Sequence, residues 1–167
     1  TEKILDILKK RQVKATFFSI GRDDAFSKKM YQRIVKEGHT LGMHSYSHQY
    51  KEIYQSMDAF QADYERISNC LTAATGIKPL YYRFPGGSTE VTEKLQMTDL
   101  DAYFNAQGAS YFDWNVIAAN NTTDDVSVNK MVDSVMNGVA LYDTSIVLMY
   151  DSVDRKMTAK SLDSILD

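Results

Sequence analysis

Two hydrophobic periodicities alternate along the chain. Apolar side chains spaced three and four residues apart predict amphipathic helices. The clearest predicted helix is 58–75, where Phe60, Tyr64, Ile67 and Leu71 share one face and Gly76 follows as a stop signal. The same spacing predicts helices near the start of the chain behind Thr1 and over the ranges 25–37, 93–107, 128–136 and from 158 onward.

Short apolar or aromatic runs separate the predicted helices and have the length and composition of strands. They cover residues 15–20, 40–44, 80–84, 110–117 and 145–150. Strands that alternate with helices predict an α/β fold with a parallel sheet. An open doubly wound sheet and a (β/α) barrel both fit. The sequence has no Gly-rich dinucleotide fingerprint that would favour the open sheet. Five strands are too few for a closed barrel, which usually has about eight, so a barrel here would be incomplete.

Composition narrows the class of protein. The chain has 167 residues, 44% hydrophobic and 25% charged, with a net charge of −3. We therefore expect a single domain over 1–167 and, without a basic excess, no nucleic-acid partner. No apolar run reaches the roughly 20 residues of a membrane-spanning helix, and no targeting signal is seen. The lone Cys70 excludes a fold held by internal disulfides.

Histidines follow the second predicted strand, where reactive groups of parallel α/β folds collect. His44 and His48 are four residues apart, so a turn after the strand would point both imidazoles the same way, as two zinc ligands require. A hydrogen-bonded structural pair is the alternative. His39 follows Gly38 at a predicted helix end, where a cation suits the helix dipole, and we interpret it as structural.

The next strand ends carry further polar and turn residues. Arg83 lies inside an apolar run and needs a carboxylate if it is buried; Asp113 on the next strand is the natural candidate. Such a pair is either catalytic or a structural link between strands. The Gly86-Gly87 turn exposes backbone N–H groups that suit an oxyanion. Trp114 fits either a sugar-binding groove or the core.

Four motifs in order carry a family resemblance. The runs 44–48 (HSYSH), 83–88 (RFPGGS), 113–115 (DWN) and 148–149 (LM), with 1–6 and 13–18 before them, resemble the polysaccharide deacetylase family, the NodB-homology domain or carbohydrate esterase family 4. The resemblance implies a distorted (β/α) barrel that deacetylates N-acetylglucosamine units of peptidoglycan or chitin-like polysaccharide. It also implies a divalent metal, usually zinc, and action outside the cell or at its envelope.

The resemblance assigns roles by position. His44 and His48 correspond to metal ligands, and Arg83 with Asp113 corresponds to the pair that orients the catalytic base. The backbone N–H of Gly86 corresponds to the oxyanion donor. Two further positions, Trp114 and Leu148, correspond to the pocket that receives the acetyl group.

Two departures from the family pattern affect the expected activity. The family's pair of adjacent aspartates, which supplies the base and the third metal ligand, would lie before Thr1, and a closing strand would follow Asp167. We therefore expect an incomplete barrel, truncated at both ends, whose open sheet edges favour a homodimer. Tyr150 stands where the family has the histidine of its last motif, the general acid.

Three interpretations remain open. The chain is a metal-dependent deacetylase domain, a catalytically degenerate carbohydrate-binding module, or an α/β remnant with structural histidines.

Overall fold

The computed structural model describes residues 1–91, 94–118, 127–152 and 156–167. The predicted α/β class is confirmed. Within the described residues, seven α-helices and six short strands follow one another, mostly in alternation. In chain order they are α1 (Glu2–Arg11), β1 (Thr16–Ser19), α2 (Ala25–Lys36), β2 (Thr40–Met43), α3 (Tyr50–Ile53), α4 (Met57–Thr75), β3 (Tyr81–Tyr82), α5 (Met97–Gln107), β4 (Ser110–Tyr111), β5 (Val116–Ile117), α6 (Val128–Val139), β6 (Val147–Leu148) and α7 (Lys156–Ile165).

The chain forms two compact units. The first unit is Lys14–Asp113, and the second combines Thr1–Val13 with Trp114–Asp167. The first unit contains a parallel four-stranded sheet in the order β1-β2-β3-β4. Because the strands are parallel, the residues that follow β2 and β3 lie at the same edge of this sheet.

An aromatic cluster fills the core of the first unit. Its rings lie 5.3–6.3 Å apart, mostly edge to face or tilted, and each is at most 2% exposed. The members are Phe60, Tyr64, Tyr82, Phe84 and Phe104. Helix α4 contributes the first two from the face that the sequence pattern predicts. It begins at a Ser56 cap and ends at Gly76 in the left-handed conformation.

The second unit contains the parallel pair β5-β6, with helices α1, α6 and α7. Ala118, Met131 and Val135 form its buried centre. Arg11 on α1 donates to the carboxylates of Asp163 and Asp167, at 2.6 and 2.5 Å, which ties α1 to the end of the chain. None of the described helices is both long and apolar enough to cross a bilayer.

The predicted strand over 110–117 is wrong as a single element, because β4 and β5 belong to different sheets. The carbonyls of Phe112 and Asp113 accept hydrogen bonds from the Arg83 guanidinium, at 3.0 and 3.2 Å, and so leave the strand ladder. The predicted helix over 93–107 begins only at Met97, and its residue 93 lies outside the described residues.

His39 is structural in its contacts, but the predicted cation at the end of α2 is wrong. Its Nδ1 accepts from the Ala15 N–H at 3.3 Å, and its ring meets the Phe17 ring edge-on at 5.6 Å. A ring nitrogen that accepts carries no proton, so the imidazole is neutral. Burial accordingly lowers the pKa of His39.

This neutral histidine predicts a pH-dependent stability. The unfolded chain, with a histidine pKa of about 6.5, binds more protons than the folded state, whose His39 pKa is lower. The contribution of neutral His39 to the free energy of unfolding is therefore complete above about pH 6.5. It is lost as the pH falls through the pKa of His39 in the folded protein. His39→Gln keeps a hydrogen-bond acceptor but does not titrate. We expect the free energy of unfolding of this variant to fall less steeply below pH 6.5, by at most about 1.4 kcal/mol per pH unit.

Urea unfolding of both proteins between pH 8 and pH 5 measures this difference. The pH 8 values serve as the baseline for any cost of the substitution itself. Parallel pH curves for the two proteins would show that His39 contributes nothing to acid sensitivity.

Candidate active site

The two histidines of the 44–48 run are brought together after β2. Their ring centroids lie 5.2 Å apart. His44 Nδ1 lies 2.8 Å from the carbonyl oxygen of Arg83. Because a carbonyl only accepts, Nδ1 carries the hydrogen, and Nε2 keeps its lone pair. Metal-ligating histidines are oriented by such a bond from the second nitrogen.

Both imidazoles are held in the neutral form. Burial lowers the pKa of His44 to about 4, and burial also lowers the pKa of His48. His48 is fixed through its backbone, whose N–H donates to Ser45 Oγ at 2.8 Å. Its ring meets the Tyr50 ring edge-on at 5.3 Å. Neutral imidazoles with a free lone pair are the form that binds zinc.

This donor set fits two ligands of a metal ion. Across the part of the chain that the structure describes, no group of three or more His, Cys, Asp or Glu residues is arranged to hold a metal. Zinc sites in proteins use at least three protein ligands. An ion at His44 and His48 therefore needs a further ligand.

Arg83, directly after β3, is buried beside the histidine pair. Its Nε donates to the Phe112 carbonyl, and its guanidinium lies 4.3 Å from the centroid of the Phe18 ring. Burial lowers its pKa, and the charge of Asp113 opposes this shift. The guanidinium is thus held between the Phe18 ring and the backbone carbonyls that follow β4.

The Asp113 carboxylate bonds to Ser88. Oδ1 accepts from the Ser88 N–H at 3.0 Å, and Oδ2 accepts from the Ser88 hydroxyl. The sequence predicted a pairing of this carboxylate with Arg83, and that pairing stays a prediction. Ser88 was not assigned a role from the sequence. Its position directly after the Gly-Gly turn gave no indication that it would bond to Asp113.

Gly86 occupies a position that suits only glycine. Its φ is 80°, and a Cβ there would lie 3.0 Å from Cε2 of Tyr50 and against the side chain of Glu90. The carbonyl of the preceding Pro85 accepts from the Tyr54 hydroxyl at 2.8 Å, which fixes the turn. The turn proposed to carry an oxyanion donor is therefore anchored to Tyr54.

We expect Gly86→Ala to destabilise the protein by about 2 kcal/mol, since it combines a left-handed backbone with crowding by Tyr50 and Glu90. Gly108→Ala is the matched control, because Gly108 has a φ of 64° and open space around its would-be Cβ. The control should lose only about 1 kcal/mol. Urea denaturation measures both. Equal losses would mean that crowding at Gly86 is relieved by side-chain movement.

Three predicted site residues lie in the second unit. Leu148 is buried on β6, and Trp114 is half-buried. Tyr150, two residues after β6, is 44% exposed. Their assignment to the acetyl pocket and to the position of the general acid stays a prediction.

The sequence of this chain is similar to those of known proteins. The family model described as polysaccharide deacetylase matches residues 1–104. A peptidoglycan-N-acetylglucosamine deacetylase from Bacillus cereus is 29% identical over 136 residues, which are 81% of this chain and 49% of that protein. The chain spans less than half the length of this and other curated relatives that it matches.

Solved structures share the fold. The catalytic domain of a peptidoglycan N-acetylglucosamine deacetylase from Eubacterium rectale superposes with a TM-score of 0.87 at 33% identity, covering 99% of this chain and 76% of that one. A mutant, with restored enzymatic activity, of a carbohydrate esterase family 4 pseudoenzyme from Bacillus anthracis gives a TM-score of 0.76 at 26% identity, covering 99% and 55%.

Proposed function

Because this chain belongs to the polysaccharide deacetylase family, we propose that it is an N-deacetylase domain acting on N-acetylglucosamine units of peptidoglycan or a chitin-like polysaccharide. The observation that carries the proposal is the neutral His44–His48 pair, with His44 Nδ1 bonded to the Arg83 carbonyl. A pair with this bond suits a metal better than a purely structural role, since the bond leaves Nε2 of His44 without a proton.

The proposed reaction is hydrolysis of an acetamide. Water adds to the amide carbonyl, the C–N bond breaks, and the amine leaves with a proton, giving acetate and a free amino sugar. A zinc ion bound by His44, His48 and a further ligand would lower the pKa of water and polarise the carbonyl. A general base would accept a proton from the attacking water.

The chain's own residues supply the remaining contacts. The Gly86 N–H would donate to the oxyanion that forms as water adds. Arg83, whose guanidinium donates to the backbone carbonyls of Phe112 and Asp113, would orient the base. Trp114 and Leu148 would line the acetyl pocket, and the Tyr150 hydroxyl would donate to the leaving nitrogen.

The substrate implies the location and partner of the protein. Peptidoglycan lies in the cell envelope, so we place the protein there or outside the cell, with polysaccharide as its partner. The similarity to peptidoglycan deacetylases supports this location. A homodimer and a single domain over 1–167 stay predictions.

Acetate release tests the proposal. The full-length natural protein, loaded with zinc, is expected to release acetate from acetylated chitooligosaccharides or peptidoglycan, and the chelated protein is expected to release none. No release above the chelated control on any of these substrates would overturn deacetylation as the activity.

Tyr150 favours a second candidate, a carbohydrate-binding module that has lost catalysis. The similarity to a family pseudoenzyme supports it. Such a module binds chitooligosaccharides without releasing acetate. Titration followed by tryptophan fluorescence of Trp114 tests this candidate, and no binding at millimolar sugar would remove it.

A further inference from the structure

The turn that carries the histidine pair has an unusual backbone. Ser45 has a φ of 105° and His48 has a φ of 58°, and neither residue is a glycine. Such conformations persist only where surrounding contacts hold them. The turn therefore depends on groups outside the 44–48 run.

Asp63, on helix α4, supplies two of those contacts. Its Oδ2 accepts from the Tyr46 N–H at 2.7 Å, and its Oδ1 accepts from the Ser47 N–H at 2.9 Å. Hydrogen bonds to a carboxylate are stronger than neutral ones. Both carboxylate oxygens are thus used on consecutive backbone N–H groups of one turn.

Helix α4 gives Asp63 a fixed position. Phe60, one turn before Asp63, and Ile67, one turn after it, are both fully buried in the first unit. A side chain on a well-packed helix places its atoms more precisely than one on a loop.

The side chain of Tyr46 provides a second anchor. Its hydroxyl donates to Asp23 Oδ2 at 2.7 Å, and the Arg66 guanidinium lies 3.7 Å from its ring centroid. Gly21 makes room for this ring, because a Cβ there would overlap it. Tyr46 is therefore held at both its backbone and its side chain.

We propose that Asp63 is a positioning residue for the histidine pair. By accepting from Tyr46 and Ser47, it sets the turn that brings the His48 ring to 5.2 Å from the His44 ring. Its carboxylate acts through the backbone and is not itself a metal ligand. The role in metal binding rests on the proposed function, whereas the role in ring placement does not.

Three variants separate geometry from charge. Asp63→Asn replaces one acceptor oxygen with an NH₂ group that faces a backbone donor. Asp63→Glu keeps the charge but moves the carboxylate by one methylene. Glu65→Gln is the matched control, because it removes an exposed charge from the same helix two residues away.

Two measurements report on the variants. In the metal-free protein, NMR records the nuclear Overhauser contact between the two imidazole rings and the hydrogen exchange of the Tyr46 and Ser47 amides. Calorimetry records zinc affinity. We expect both Asp63 variants to lose the ring contact, to speed exchange at these two amides and to weaken zinc binding by about 10-fold or more. Exchange in β1 should stay slow, which a general loss of stability would not allow.

The outcomes are distinct. A ring contact in Asp63→Asn equal to that of the unsubstituted protein would overturn the proposal. Unchanged zinc affinity in Asp63→Glu would also overturn it, because it would show that only the charge of residue 63 matters. An equal effect of Glu65→Gln would overturn it too. If the unsubstituted protein binds no zinc, the proposed function fails, while the ring contact still decides the role of Asp63.

Discussion

Replacing Tyr150 with histidine is expected to raise the rate of deacetylation by about 100-fold or more, the usual contribution of a well-placed general acid. The leaving amine needs a proton as the C–N bond breaks. An ordinary histidine has a pKa of about 6.5 and an ordinary tyrosine about 10, so histidine transfers a proton far more readily near neutral pH. The exposed position of the side chain, 44% accessible two residues after β6, leaves room for the imidazole.

Tyr150→Phe is the matched control for this experiment. It removes only the hydroxyl, so it measures what hydrogen bonding by tyrosine already contributes. The three proteins are compared by kcat for acetate release, with kcat expected to fall in the order histidine, tyrosine, phenylalanine. An unchanged kcat in Tyr150→His would mean that solvent or another group protonates the amine.

Replacing His44 with alanine is expected to weaken zinc binding by at least about 100-fold. This loss exceeds that expected when a residue that only hydrogen-bonds to a metal ligand is replaced. The His44 ring is half-buried and neutral, and its Nδ1 donates to the Arg83 carbonyl, so Nε2 is left to bind the metal. Isothermal titration of the full-length natural protein with zinc measures the affinity directly.

His39→Gln is the control for this loss of zinc binding. It removes an imidazole that is bonded to the Ala15 N–H and lies at the other end of β2 from the turn that carries His44 and His48. Wild-type zinc affinity is expected to persist in this control. If His44→Ala binds zinc as tightly as the unsubstituted protein, the histidine pair is a structural pair, the alternative that the four-residue spacing left open.

The elements that the sequence predicted best are those whose burial follows a simple period. Helix α4 was predicted within one residue at its start because its apolar face, its cap and Gly76 agree with one another. The run 110–117 gave no such signal. Its two strands are separated by carbonyls that bond to Arg83, and a contact between residues 29 positions apart leaves no periodic trace.

In the candidate site too, local spacing was predictive and contacts between distant residues were not. The spacing of His44 and His48 predicted that their rings would come together, and they do. Asp63 and Ser88 were not predicted, because each acts on a backbone N–H or a carboxylate far along the chain. Polar contacts of this kind depend on tertiary placement, which composition and spacing do not encode.

The distribution of aromatic residues gives each compact unit its own optical signal. Trp114, the only tryptophan, belongs to the second unit, whereas the buried Tyr64 and Tyr82 belong to the first. The first unit holds nine of the eleven tyrosines, so tryptophan fluorescence follows the second unit and tyrosine near-ultraviolet circular dichroism follows mainly the first during one denaturant titration. Coincident curves from the two probes would identify a single cooperative domain, and separate midpoints would identify two independently melting units.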